Sequence, residues 1–181
     1  KIRTDDKKTF EMLARGETMG LFQLNGSGMT HYLKDLRPTT IHDINAMVAL
    51  YRPGPMESIP EYIRRKHDTT LVSYLDPRMK EILTQSYGVI TYQDDVMLIA
   101  IKLGGYSWLE ADKLRKAMGK KIPAEMQAQK AKLIEGLVTN GMSPKKAGDL
   151  WKLIEPFAAY GFNKAHAASY GLVAYQTAYM K

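Results

Sequence analysis

Apolar residues recur at three- and four-residue intervals along most of this chain, so helical signals dominate the pattern. Thr4, Asp5 and Asp6 open a segment over 4–15 that sets Phe10, Leu13 and Ala14 on one face, the mark of an N-capped amphipathic helix. Thr40 with Asp43 resembles a capping box, and Ile41, Ile44, Met47 and Val48 follow it with helical period. That helix must stop at Tyr51-Arg52-Pro53-Gly54-Pro55, because two prolines and a glycine forbid continuation. Further helices are predicted over 58–67, from Pro77 behind an Asp76 cap, over 93–103, and from the Ser107/Glu110 capping box to Gly119. Three more follow over 123–138, 143–159 and 163–180. Pro156 falls inside the second of these, where an interior proline costs about 3 kcal/mol, so a kink or break is expected there. Val89-Ile90-Thr91-Tyr92 is the best strand candidate but too short for a sheet. The glycines of Phe22 to Met29 read as sharp turns with an architectural role, and Arg52 as a secondary phosphate candidate. The fold class expected is mainly α, a multi-helix domain with at most a short β element near Val89 to Tyr92.

Length and composition fit this. A chain of 181 residues that is 45% hydrophobic can bury one core, as one domain or one domain with a small subdomain. No apolar run approaches a membrane span, and Lys-Ile-Arg-Thr-Asp-Asp lacks the apolar stretch of a signal peptide. The absence of cysteine excludes disulfides and thiolate chemistry and suits a reducing cytoplasm. A charged, featureless start and a final segment that still reads as helix suggest a piece of a longer chain.

Charge is distributed unevenly. Residues 1–107 carry 14 Lys and Arg against 13 Asp and Glu, whereas 108–181 carry 12 against 6, so nearly all of the net +7 lies in the second part. Within it, Lys113, Arg115, Lys116, Lys120 and Lys121 come without an intervening acid, and Gly119 is expected to open the backbone among them. On a helix Lys113, Lys116 and Lys120 share a face, and their repulsion would be relieved by a polyanion. Arg115 offers a planar fork for two phosphate oxygens, while each lysine is a point charge. A solvated lysine-rich helix face is the competing reading. The segment from Tyr160 to Tyr170 leads through Gly161 and Phe162 into a helix capped by Asn163. Lys164 and His166 lie in its first turn, where backbone N–H groups and the helix dipole favour phosphate. Tight helix packing through its alanines is the alternative.

Other chemistry finds no support. His31, His42, His67 and His166 are scattered without metal-ligand spacing. Asp94 and Asp95 would point about 100° apart on a helix, a poor metal clamp, and read as a solvated first turn complementing the helix dipole. Nucleophile-elbow, Walker and Rossmann patterns are missing from the sequence.

Several ordered segments carry a family resemblance. They are Gly20-Leu21-Phe22-Gln23-Leu24, Ala49-Leu50-Tyr51-Arg52-Pro53-Gly54-Pro55-Met56, Arg65-Lys66-His67 and Tyr87-Gly88-Val89-Ile90-Thr91-Tyr92-Gln93. Glu110-Ala111-Asp112, Leu114-Arg115-Lys116-Ala117-Met118-Gly119-Lys120-Lys121 and Tyr160-Gly161-Phe162-Asn163-Lys164-Ala165-His166-Ala167-Ala168 complete the set. Over residues 8–181 the chain resembles the fingers region of the α subunit of bacterial DNA polymerase III, in its main replicative form. The resemblance implies a domain, 1–181, of a DNA-directed DNA polymerase, with a near-neutral part (1–107) and a basic, nucleotide-facing part (108–181). It implies that the catalytic Asp residues and their Mg²⁺ belong to a palm domain upstream of Lys1, so no catalytic residue is expected here and the piece alone should be inactive. Deoxynucleoside triphosphates, primer-template DNA, the palm and other domains, and replisome subunits are the implied partners. Arg115 and Lys116, with Lys120, correspond to triphosphate ligands. Tyr160, Asn163, Lys164 and His166 correspond to the wall beside the nucleotide, and Lys113 and Lys121 are DNA-contact candidates. The chain departs from the family pattern at Lys116, usually Arg, at Asn25, commonly Glu, at Ala165, commonly Ser, and at Pro156. A non-catalytic nucleic-acid-binding module and a helical scaffold with incidental charge are the rival readings.

Overall fold

The computed structural model describes residues 2–120, 122–157 and 161–181. Among these are ten α-helices, several short 3-10 turns and no strand. The first helices are α1 (Lys7–Ala14), α2 (Ser27–Leu36), α3 (Ile41–Leu50), α4 (Ile59–His67) and α5 (Lys80–Leu83). They are followed by α6 (Gln93–Lys102), α7 (Trp108–Lys120), α8 (Pro123–Thr139), α9 (Pro144–Ile154) and α10 (Lys164–Met180).

Most start signals operate as the pattern predicts. Asp6 caps α1 by accepting from Thr9 N at 2.8 Å, and Thr40 and Asp43 form a complete capping box on α3. Pro156 ends α9 early: the α-helix stops at Ile154 and a 3-10 turn, Glu155–Phe157, replaces its continuation. The helix expected from Pro77 is instead a 3-10 turn, Pro77–Met79, leading into the four residues of α5.

Two expectations need correction. Residues 89–92 are extended but pair with no strand, because helices surround them and their polar groups are satisfied locally. Thr91 N and Tyr92 N donate to Asp95 Oδ2 at 2.9 Å each, and Val89 O accepts from Ser86 Oγ and Thr91 Oγ1. The turn-like segment at Phe22 to Met29 leads straight into α2, which buries Met29, Leu33 and Leu36. Gly28 lies inside this helix, packed under the Tyr51 hydroxyl, so it serves close packing rather than a turn.

One contiguous core runs from Phe10 to Ala178, with Trp151, Tyr62, Tyr175 and Phe157 among its largest buried side chains. At its centre α3 is buried on every side from Asp43 to Leu50. A helix surrounded by others explains why α3 is apolar almost all round. Buried Asp43 is satisfied by Thr39 N, Thr40 N and the Tyr62 hydroxyl at 3.1 Å, with Lys66 Nζ 3.5 Å away. Helix α10 crosses α3 through Ala167, Gly171 and Ala174, and the Asn45 side chain fills the space where a Cβ at Gly171 would stand. These small residues bring the two backbones close and hold α10 with its opposite face to solvent. The Arg65-Lys66-His67 run is also architectural. Arg65 bridges Glu61, Ser73 O and Tyr87 O, Lys66 reaches Thr39, and His67 Nε2 meets Asp35 O at 2.7 Å.

Candidate functional site

Helix α7 carries the first group of cations. Its N-terminus is set by the Ser107/Glu110 box, with Ser107 N donating to Glu110 Oε2 at 2.8 Å and Glu110 N to Ser107 Oγ at 3.3 Å. Lys132 of α8 also binds Glu110 at 2.6 Å, and this bond, with those from Ser107, pulls the Glu110 carboxyl down to about 2. Ala111, Leu114, Ala117 and Met118 face the core, which turns Lys113, Lys116 and Lys120 outward.

The repulsion expected along this face is partly neutralised. Asp112 Oδ1 accepts from Arg115 Nε at 3.0 Å and Nη2 at 2.7 Å, while Asp112 Oδ2 pairs with Lys116 Nζ at 2.7 Å. The Lys116 and Arg115 bonds lower the Asp112 carboxyl below its ordinary range. Arg115 is thus half-buried and held in one orientation, its Nη1 without a partner among the described residues. Lys113, Lys116 and Lys120 line a cleft of about 300 Å³ with Glu125, Ala128 and Gln129 of α8. Gly119 does not open the chain: α7 continues through it to Lys120, and a Cβ there would meet no other part of the molecule within 4 Å. A helix already fixed by four core residues tolerates one glycine near its end. Lys121 and Tyr160 lie outside the described residues.

The start of α10 carries the second group. Asn163 accepts from His166 N at 3.0 Å, as its capping position predicts. Lys164 N, a donor expected to face an external anion, is instead taken by Asp94 Oδ2 at 2.7 Å. The side chains of Lys164 and His166 remain exposed. Lys164 Nζ lies 3.5 Å from Gln85 Oε1 and 5.6 Å from the Tyr92 ring centre.

Asp94 and Asp95 are therefore not a solvated pair. Asp95 is buried as the inner half of the α6 start, and burial pushes its carboxyl up to about 6, against the pull of the Thr91 and Tyr92 N–H bonds and of Lys164. The folded state then binds the Asp95 proton more tightly than the unfolded chain does. Its stabilising contribution is largest near pH 4 and is lost as pH rises through about 6. Relative to Asp95→Asn, the wild type is expected to lose about 2 kcal/mol between pH 4 and pH 7. Urea titrations of both proteins across that range measure it; parallel curves would show that Asp95 titrates normally.

Arg52 was undervalued by sequence reasoning. Its guanidinium stacks 3.8 Å above the Phe162 ring, and Nη2 donates to Val48 O at 3.3 Å. Its Nε is buried without a partner, and burial lowers its proton affinity. Among the described residues it has no carboxylate partner, unlike Arg115. The proline-bounded stop of α3 fixes this position, and that stop was the signal available in the sequence.

Both α7 and the segment entering α10 pack against α6. Gln93 N donates to Phe162 O at 3.0 Å, and Gly161 sits so close against the Gln93 side chain that no Cβ fits. Residues 103–107 are a short connection, and α7 packs against α6 beyond it. The groups line separate clefts. Lys164 shares a tight one with His42, Gln85, Tyr92 and Asp95, and the α7 lysines share theirs with α8. Such an arrangement can hold a polyanion along an edge, with aromatic surface beside it.

Comparison with known proteins gives a consistent result. Residues 1–141 match the model of the bacterial DNA polymerase III alpha subunit finger domain. The chain is 49% identical to DNA polymerase III subunit alpha of Rickettsia prowazekii over 177 residues, covering 98% of this chain. The same subunit of Thermus aquaticus is 48% identical over 186 residues and covers all of it, and that of Xylella fastidiosa is 50% identical over 178. The chain spans about 15% of the length of each of these curated relatives.

Proposed function

Because this chain belongs to the family of finger domains of the bacterial DNA polymerase III α subunit, we propose that it positions an incoming deoxynucleoside triphosphate against primer-template DNA for template-directed synthesis. The observation that supports this reading is the exposed basic face of α7, where Asp112 holds Arg115 beside Lys116 and Lys120, together with the exposed Lys164 at the start of α10. Asp112 supports Arg115 in a fixed orientation, so its fork meets phosphate oxygens without reorganising. Nucleotidyl transfer spreads negative charge over the phosphates and the departing pyrophosphate, and fixed cations lower the energy of that state. Asn163, Lys164 and His166 form the wall beside the nucleotide, and Lys113 extends the basic face toward DNA.

Among the described residues no group of three or more His, Asp or Glu could hold a metal ion. In this reading Mg²⁺ would supply Lewis-acid stabilisation of the phosphates, held by ligands that the family resemblance puts in the palm domain. Other domains of the longer subunit and replisome proteins complete the set of partners, in the cytoplasm. No helix among the described residues is long and apolar enough to cross a membrane.

Binding in the full-length subunit tests the reading. The double variant Lys113→Glu/Lys120→Glu is expected to weaken primer-template binding at least tenfold at low salt and to reduce the salt slope by about 2. Nucleotide KM should rise with it. A variant that loses DNA affinity while nucleotide kinetics stay at wild-type values would instead favour a plain nucleic-acid-binding module.

A further inference from the structure

The Phe22 loop has a construction that an architectural turn does not require. Leu21 and Leu24 are buried in the core, and between them Phe22 and Gln23 are turned out to solvent. Gln23 adopts a left-handed backbone conformation with φ 62°, uncommon for a residue with a side chain, which turns its amide outward between the two buried leucines. Phe22 N donates to Thr177 Oγ1 of α10 at 3.2 Å, which ties the loop down. The Phe22 ring, 38% exposed, is thus fixed in position.

Phe22 also ends a run of tilted and edge-on aromatic contacts. The Arg52 guanidinium lies 3.8 Å over Phe162, Phe162 is 4.8 Å from His166, His166 is 4.2 Å from Tyr170, and Tyr170 is 5.4 Å from Phe22. Two of its members, His166 and Tyr170, are four residues apart on α10, which aligns them, and Phe162 immediately precedes the Asn163 cap. Helix α10 has no acidic residue, and Lys164 stands on the same turns. A rigid aromatic end with an amide beside it, on a helix without acidic side chains, suits a flat heterocycle attached to a phosphate chain.

We propose that Phe22 and Tyr170, with Gln23 at their edge, form a stacking site for an unpaired nucleobase. The inference rests on the reading of α10 as the substrate-facing helix and adds a site beyond the phosphate contacts. The base could belong to the single-stranded template or to a free nucleotide, and both present the same π face. Stacking at Phe22 and Tyr170 is indifferent to base identity, while Gln23 can donate and accept at a base edge.

Full-length subunit carrying Phe22→Ala, Phe22→Leu, Phe22→Tyr or Tyr170→Ala separates the possibilities. Probes are primer-template with a single-stranded overhang bearing 2-aminopurine at an unpaired position, the same duplex without overhang, and 2-aminopurine deoxynucleoside triphosphate. Overhang affinity is expected to fall about tenfold in Phe22→Ala and Phe22→Leu. Phe22→Tyr should restore it, and the probe's fluorescence should rise as stacking is lost. Duplex without overhang should bind as wild type. If the loss appears in the nucleotide arm and not in the overhang arm, the stacked base is that of the nucleotide. Wild-type behaviour of Phe22→Leu in both arms, or an equal loss on duplex without overhang, overturns the site. Failure of the phosphate reading would show in the Lys113/Lys120 variant, whose salt slope Phe22 should not change. Phe22→Leu keeps the apolar contact, so a thermal midpoint near wild type verifies its fold.

Discussion

Replacing Arg115 by alanine in the full-length subunit is expected to lower kcat/KM for the incoming nucleotide by one to three powers of ten, about 2 to 4 kcal/mol of transition-state stabilisation. The magnitude follows from orientation. Both Arg115 bonds to Asp112 use the same carboxylate oxygen and one edge of the guanidinium, so the side chain points one way before any ligand arrives. A held fork loses little entropy on binding. Asp112→Asn keeps the shape but weakens the hold, and a smaller loss, about tenfold, is expected from it. Because Asp112 also binds Lys116, the two effects will not add with those of Lys116→Ala. Steady-state kinetics of the three variants measure this, and wild-type values for Arg115→Ala would remove Arg115 from the site.

Gly171→Val is expected to destabilise the fold by about 3 kcal/mol, because it wedges α10 away from α3. A Cβ here would overlap the Asn45 side chain and lie 3.3 Å from Asn45 Cα, and valine adds two more methyl groups at a crossing of backbones. Rotating Asn45 cannot clear it. In a chain of this size that loss lowers the melting temperature by roughly 6 to 12 °C. Thermal melting followed by circular dichroism measures it. Gly171→Ala should lie between, since one carbon can be met by a shift of the Asn45 amide. A melting temperature for the valine variant within 2 °C of wild type, on the order of the effect of a neutral surface change, would show that α10 does not pack on α3 as described.

Much of the helical frame is legible in the sequence because its signals are local. Asp6, Thr40, Ser107, Ser143 and Asn163 each bond a backbone N–H or capping partner three residues away, within reach of sequence pattern. Pro156 stops α9 for the same kind of reason. The pairing of Asp112 with Arg115 and Lys116 was equally readable from its i, i+3 and i, i+4 spacing. Helix α2 was missed because Gly26 and Gly28 look like turn residues, and only Tyr51, packed on Gly28, shows why a glycine belongs there. The strand expected at 89–92 failed because an extended segment becomes a strand only beside another, and none adjoins it among the described residues.

The sequence by itself determined the helical class, the helix starts, the concentration of positive charge after residue 107 and the family resemblance. Each depends on residue type at short spacing or on ordered motifs. Only the packed fold sets Asp94 at the start of α10 across 70 residues, buries Asp95, lays Arg52 over Phe162 and brings Phe22 against Tyr170. Those contacts join segments far apart in the chain. They are set by how closely α3, α6 and α10 can pack, which depends on the shape of the shared core rather than on any local run of residues.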